Sequence, residues 1–160
     1  SPTLVRLDDV VQSATRLFRW QASRAGVTVI TRLEVETVGW GTPGELGQIV
    51  LTLLSNAADA SRKDGKVLVT THREADGQSV VRVSDDGPGI PTADTSRIFL
   101  PFYSKKPAGL GLGLAVAREM ARRHRGDLVA LATPRGQRGA TLELRLRDTA
   151  PNASEPPPAD

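Results

Sequence analysis

The sequence contains no cysteine among its 160 residues, so it can form neither a disulfide nor a thiolate metal site. No apolar run approaches the roughly 18 residues that a membrane span requires, and nothing at the start of the chain has the composition of a signal peptide. The net charge is only +3, and its short basic clusters at Lys105-Lys106 and 122–125 are not the dense patch typical of nucleic-acid-binding proteins. We therefore expect a cytoplasmic protein with no nucleic-acid partner and no direct membrane contact, whose charge is compatible with a small anionic ligand.

Hydrophobic periodicity divides the chain into one domain, residues 1–147, and a disordered Pro/Ala-rich tail, residues 148–160. Within the domain, this periodicity predicts three helices and five strands. The helices cover 7–24, 42–61 and the stretch from the glycine run to 124, and the strands cover 27–35, 66–72, 79–84, 128–132 and 141–146. This order predicts an α+β fold, a two-layer sandwich with helices on one face of a mixed, mostly antiparallel sheet.

The helix over 42–61 has the strongest start signal in the chain. Thr42 is a good N-cap residue, Pro43 suits the first helical position, and Glu45 completes a capping box. Thr52 and Asn56 lie with Glu45 on one flank of the apolar stripe, where a helix can border a cleft. The amide oxygen of Asn56 is a ligand suited to Mg²⁺ beside phosphates, although an ordinary solvated helix residue would look the same in the sequence.

Two glycine-rich motifs flank an irregular segment. Residues 109–114 read Gly-Leu-Gly-Leu-Gly-Leu and lead into a helix, an arrangement whose backbone amides can bind phosphate. Residues 85–90, Asp-Asp-Gly-Pro-Gly-Ile, place the carboxylate of Asp85 at a strand end, where it can accept a hydrogen bond from an exocyclic amine such as adenine N6. An Asp before glycine is equally typical of a turn. Together the two motifs suggest a nucleotide site, with phosphate at one end and the base at the other.

The segment over 91–108 has little periodicity and is long for an internal connection, so we expect a lid over the site. Phe99 and Phe102 would anchor this lid. Lys105 or Lys106 could reach the terminal phosphate, although solvated surface lysines are the commoner case.

Four motifs, in order, resemble the boxes of the GHKL ATP-binding superfamily. Residues 51–60 resemble its N box, 85–90 its first glycine box, 98–103 its F box and 109–114 its second glycine box. The F box and short lid resemble the catalytic and ATP-binding domain of bacterial sensor histidine kinases, and the Tyr-Ser-Lys-Lys-Pro sequence resembles nitrogen-regulation-type kinases. The resemblance covers about residues 5–147 and implies a Bergerat-type ATP-binding fold with ATP and Mg²⁺ as cofactors.

The resemblance also implies roles for individual residues. Asn56 would ligate Mg²⁺, and Asp85 would bind adenine N6. The remaining positions shape the adenine pocket or contact phosphates, and they are Gly87, Gly89, Ile90, Gly109, Gly111, Gly113 and Thr141, the last holding adenine through water. Two residues depart from the pattern, since Thr52 replaces a first asparagine or the catalytic glutamate of hydrolytic relatives, and Leu110 replaces a common Thr or Ser.

The implied reaction is transfer of the ATP γ-phosphate to a histidine. His72 and His124 lack the acidic residue and proline that mark an acceptor helix, and we expect both to be surface residues. The acceptor should lie on a dimerisation helix pair outside this chain, so the chain alone should bind ATP without phosphorylating itself. A response regulator would then be a partner of the whole kinase.

Three other functions are compatible with parts of this sequence. A GHKL serine kinase of another signalling type would share the boxes, and a pseudokinase with weak nucleotide binding would explain Thr52 and Leu110. A basic nucleic-acid-binding module would use residues 122–125 and show steeply salt-dependent DNA binding, but it would leave the glycine motifs unexplained.

Overall fold

The computed structural model describes residues 1–104 and 111–158, and in this part of the chain three helices and seven strands form two layers. The helices are α1 (Leu7–Ala25), α2 (Pro43–Ala60) and α3 (Gly113–Arg123). The strands are β1 (Thr3–Arg6), β2 (Thr28–Leu33), β3 (Val38–Gly41), β4 (Lys66–Arg73), β5 (Gln78–Ser84), β6 (Asp127–Leu131) and β7 (Thr141–Arg147). Two short 3-10 turns lie at Thr92–Asp94 and Arg97–Phe99.

Five strands make the main sheet, in the order β2-β4-β5-β7-β6. The β2–β4 pair is parallel and the three other pairs are antiparallel. The alternating apolar residues of these strands face the apolar stripes of the helices in one core. Its fully buried members include Val11, Leu46, Ile49, Leu53, Val67, Val69, Leu128 and Leu144. The predicted α+β fold, with helices on one face of a mixed sheet, is confirmed.

The start of α2 differs from the prediction. Pro43 occupies the first turn as expected, but Thr42 makes no side-chain cap hydrogen bond. Its hydroxyl instead lies 3.3 Å from Nε2 of His124, and the Glu45 carboxylate lies 2.9 Å from the same nitrogen. The predicted capping box is therefore wrong, because a buried partner at the end of α3 takes both side chains.

A second, two-stranded sheet of β1 and β3 has no counterpart among the sequence predictions. Each strand has only four residues, and β3 reads Val-Gly-Trp-Gly, which has no clear strand pattern. Packing explains the glycines: a Cβ at Gly39 would lie 2.8 Å from Cδ1 of Leu146, and one at Gly41 would lie 2.8 Å from Leu46 side-chain carbons. The sheet thus closes tightly over one end of the core.

The face of the main sheet away from the helices carries an ion-pair network. Glu143 on β7 is completely buried, although it lies on this outer face. Its carboxylate accepts hydrogen bonds from Arg82 on β5 at 2.7 Å and from Arg145 at 2.6 Å. Burial raises the pKa of Glu143, but these two arginines outweigh it and bring the pKa below its usual value.

Residues 148–158 follow β7 along the body of the domain. The carboxylate of Glu155 pairs with Arg147 and lies 3.9 Å from Arg125 Nη1, and Arg125 also donates to the carbonyl oxygen of Pro156. Disorder of this tail remains a prediction. In the structure, the tail contacts the domain through Glu155 and Pro156.

Candidate functional site

A cavity of about 980 Å³ opens between α2, the end of β5, the segment after it and the start of α3. Six of the predicted site residues line it together: Asn56, Asp85, Gly89, Ile90, Gly111 and Gly113. Its volume is at the upper end of the range for small-molecule sites. The fold thus brings a helix flank, a strand end and a helix start, which are distant in the sequence, to one hollow.

The carboxylate of Asp85 follows directly after β5, and its two oxygens have different surroundings. Its Oδ1 accepts hydrogen bonds from the backbone N–H of Gly87 at 2.8 Å and of Ala140 at 3.0 Å. Among the residues that the structure describes, no group donates to the second oxygen, Oδ2. Burial raises the pKa of Asp85, and the two backbone hydrogen bonds act in the opposite direction. The turn role and the ligand role are therefore compatible, because each uses a different oxygen.

Gly87 holds this strand end against α2. A Cβ at Gly87 would lie 2.4 Å from the carbonyl oxygen of Ala60, which is backbone and cannot give way easily. Asp86 reinforces the junction, because its carboxylate accepts from the backbone N–H groups of Arg62 and Lys66. Burial raises the pKa of Asp86, but these hydrogen bonds lower it below its usual value overall. Gly87 itself is not among the cavity-lining residues.

Thr141 lies next to the cavity without lining it. Its hydroxyl is 3.0 Å from the hydroxyl of Ser84 on the neighbouring strand. Ala140, one residue earlier, does line the cavity. A role for Thr141 toward a ligand therefore stays a prediction that would require a bridging group such as water.

Asn56 and Thr52 project from the flank of α2 into the other end of the cavity. The Asn56 side chain makes no hydrogen bond with any described residue, so its amide is available to a ligand. The Thr52 hydroxyl donates to the carbonyl oxygen of Gln48 at 3.0 Å. Within residues 1–104 and 111–158, no group of three or more His, Asp or Glu side chains could hold a metal ion by itself. A Mg²⁺ ion here would take Asn56 together with phosphate oxygens and water, which is how Mg²⁺ is usually bound.

The start of α3 supplies backbone amides. The N-cap residue, Leu112, makes no side-chain cap hydrogen bond, and the first N–H groups of a helix have no acceptor within the helix. A Cβ at Gly113 would lie 3.5 Å from Cγ2 of Thr52, which places this helix start directly beside α2. Lys105, Lys106 and Gly109, which the sequence analysis assigned to phosphate contacts, lie outside the described residues.

The two expected lid anchors differ in the structure. Phe99 is buried, and the Arg118 guanidinium stacks 4.6 Å from its ring centroid, as an anchor should be held. Phe102 is 75% exposed, so its expected role as a side-chain anchor is wrong. The backbone makes the contact instead: the N–H of Phe102 donates to the carbonyl oxygen of Gly111 at 3.0 Å.

The two histidines also differ from each other. His72 is partly exposed and pairs with Glu74 at 3.2 Å. His124, expected at the surface, is only 3% exposed and lies between α3 and α2. That expectation was wrong because Arg122 and Arg123 are exposed, whereas the imidazole turns inward to Glu45 and Thr42.

Sequence reasoning missed the contribution of α1 to the cavity. Phe18 and Gln21 line it from this helix, and Gln48 and Tyr103 line it from α2 and the segment after β5. Nothing in the α1 sequence departs from an ordinary amphipathic helix, so no sequence signal could have identified Phe18 and Gln21.

Most of the chain matches a known protein family. Residues 41–150 match the family model described as "Histidine kinase-, DNA gyrase B-, and HSP90-like ATPase". The signal transduction histidine-protein kinase AtoS of Escherichia coli (strain K12) is 32% identical over 143 residues, which are 89% of this chain and 23% of AtoS. The chain therefore spans about a quarter of the length of that relative.

Solved structures give the same picture for the fold. The mycobacterial sensor histidine kinase MprB is 28% identical with a TM-score of 0.78, and the match covers 92% of this chain and 96% of that one. The catalytic domain of histidine kinase ThkA has a TM-score of 0.81 at 21% identity, with the same coverage of 92% and 96%. No helix of the described part is both long and apolar enough to cross a membrane.

Proposed function

This chain belongs to the family of histidine kinase-, DNA gyrase B- and HSP90-like ATPases, and from that premise we propose that it is the ATP-binding catalytic domain of a two-component sensor histidine kinase. It would transfer the γ-phosphate of ATP to a histidine on a dimerisation helix that is not part of this chain. The observation that supports this most directly is the shared cavity of Asp85, Asn56 and Gly113. A response regulator would then act with the complete kinase, and we propose a cytoplasmic location for this domain.

The base would bind at the Asp85 end. An adenine N6 amine can donate to the open Oδ2, whereas the carbonyl of guanine at that position would face a carboxylate and be repelled. Gly89 and Ile90 would line the base pocket. Selectivity for adenine then follows from one carboxylate oxygen whose orientation is set by backbone hydrogen bonds to its neighbour Oδ1.

The triphosphate would extend toward α2 and α3. Bound Mg²⁺ would neutralise phosphate charge and orient the γ-phosphate for in-line attack. The amide oxygen of Asn56 would ligate it, and the N–H groups at Gly111 and Gly113 would donate to phosphate oxygens. Phosphates at this position gain further from the positive end of the α3 dipole.

The incoming nucleophile would be an imidazole from outside the chain. His124 is buried and hydrogen-bonded, so it cannot approach a phosphate in the cavity. At Thr52 the chain offers a hydroxyl that donates to Gln48 rather than a carboxylate that could activate water. We therefore propose phosphoryl transfer with little ATP hydrolysis.

Calorimetric titration with Mg²⁺-ATP and Mg²⁺-GTP tests the binding site, with Asp85→Asn as the matched variant. An Asn side chain keeps an Oδ1 for Gly87 and Ala140 but presents an NH₂ group in place of Oδ2. We expect the fold to persist and the adenine preference to fall about 10- to 100-fold, which is the cost of a lost or opposed hydrogen bond in a buried site. Unchanged selectivity would remove the base-recognition role of Asp85.

The acceptor assignment needs a second experiment. The chain is mixed with labelled ATP, first alone and then with a separately produced acceptor helix pair. Label should appear only on the added helices. Label on His72 or His124 would contradict the proposal.

A further inference from the structure

A buried histidine joins the end of α3 to the start of α2, outside the cavity residues used above. Nδ1 of His124 lies 2.7 Å from the carbonyl oxygen of Met120, in the last turns of α3. Nε2 lies 2.9 Å from Oε2 of Glu45 and 3.3 Å from the hydroxyl of Thr42, both at the first turn of α2. The imidazole is only 3% exposed, whereas the Glu45 side chain is 41% exposed, so the carboxylate reaches a buried ring from the surface.

The partners hold the imidazole from both sides. A carbonyl oxygen only accepts, so Nδ1–H donates to Met120. On the other side, Nε2 lies within hydrogen-bond distance of both the Glu45 carboxylate and the Thr42 hydroxyl. The contacts therefore link the last turns of α3 directly to the first turn of α2. Arg123 adds a weaker contact, 3.8 Å from Glu45.

This pair fixes one end of the α2–α3 contact, and the ligand site lies at the other. Gly113 at the start of α3 is beside Thr52 on α2, and His124 is about 16 Å further along the helix at 1.5 Å per residue. The polar contacts of His124 with Thr42 and Glu45 thus join the two helices at the end of α3 that is far from the cavity.

We propose that the His124–Glu45 pair is a positioning element for the phosphate half of the nucleotide site. By setting the axial position of α3 against α2, it sets the distance between the amides at Gly111 and Gly113 and the Asn56 amide. The base half does not depend on it, because Asp85 is held by Gly87 and Ala140, which belong to neither helix. The proposal rests on the function given above and adds a residue pair to it.

The test compares a ligand that uses both halves with one that uses the base half only. Affinities for Mg²⁺-ATP by calorimetry and for adenosine by NMR titration are measured for the wild type, Glu45→Ala, Glu45→Gln and His124→Gln. We expect Glu45→Ala and His124→Gln to weaken Mg²⁺-ATP about tenfold, a coupling of ordinary size, and to leave the adenosine affinity unchanged. Glu45→Gln retains a side chain that can hydrogen-bond to Nε2 and should keep most of the ATP affinity.

Arg123→Ala is the matched control, since it removes a second contact of Glu45, one made from an exposed position. It should leave the affinities for both ligands at their wild-type values. Glu45 is 41% exposed, so its variants should fold even if His124→Gln does not. If both ligands weaken together, or if neither does, the positioning role is wrong. Failure of the wild-type chain to bind Mg²⁺-ATP at all would instead overturn the proposed function.

Discussion

Substitution of Asn56 by Ala should lower the affinity for the nucleotide without lowering the stability of the fold. The Asn56 side chain makes no hydrogen bond with the described part of the chain, so its removal leaves no group of that part unpaired. It is only partly buried on the flank of α2, and Ala has the higher helix propensity by about 0.5 kcal/mol. We therefore expect the free energy of unfolding to stay constant or to rise by about that amount.

The affinity for Mg²⁺-ATP should fall, whereas the free energy of unfolding should not. Loss of one Mg²⁺ ligand beside the triphosphate should lower the affinity for Mg²⁺-ATP by about 1.5–3 kcal/mol, the range for hydrogen bonds and contacts to charged groups, or roughly 10- to 150-fold. Urea denaturation and calorimetry measure the two quantities on the same samples, and titration in EDTA isolates the metal-dependent part. An equal loss in the presence and absence of Mg²⁺ would refute the metal-ligand reasoning, and a large loss of stability would refute the structural reasoning.

Two further predictions concern the scaffold. Gly87→Ala should destabilise the fold by about 1–3 kcal/mol, measured by urea denaturation, because its Cβ would lie 2.4 Å from the carbonyl oxygen of Ala60; an unchanged midpoint would contradict this. Glu143 has a folded-state pKa below its unfolded value because of Arg145 and Arg82, so its contribution to stability is present above the unfolded pKa and is lost as pH falls through the folded one. Glu143→Gln should lower the free energy of unfolding by about 1–3 kcal/mol near neutral pH. The variant should also lose less stability than the wild type as the pH falls. If the stability of both proteins falls in parallel with pH, Glu143 is not the cause of the acid sensitivity.

The long, strongly periodic elements were predictable because their patterns depend on local sequence and on a single buried face. The helix over 42–61 is observed as Pro43–Ala60, and the strands over 66–72 and 79–84 are observed as Lys66–Arg73 and Gln78–Ser84. The β1–β3 pair was missed because its glycines reflect contacts with Leu146 and Leu46, which are distant in the sequence.

The residues of the site differ in the same way in how far the sequence could identify them. Asp85 and Asn56 could be identified because their motifs combine residue type with spacing, whereas Gln21 on α1 could not, since its place in the cavity arises only from packing of α1 on α2. The errors at Thr42, Glu45 and His124 have one cause. Each was assigned a local role, as cap or surface residue, and a tertiary contact between the three replaced all of them.

The two halves of the cavity differ in how far they are organised before a ligand arrives. Asp85 is held in one orientation by two backbone donors, so little side-chain entropy is lost when a base binds. Asn56 has no such partner among the described residues, and ordering a side chain of this kind costs about 0.5–1.5 kcal/mol on binding. If the chain binds ATP as we propose, selectivity between bases would therefore reside in the preorganised half, and the phosphate half would be completed by the nucleotide and its metal.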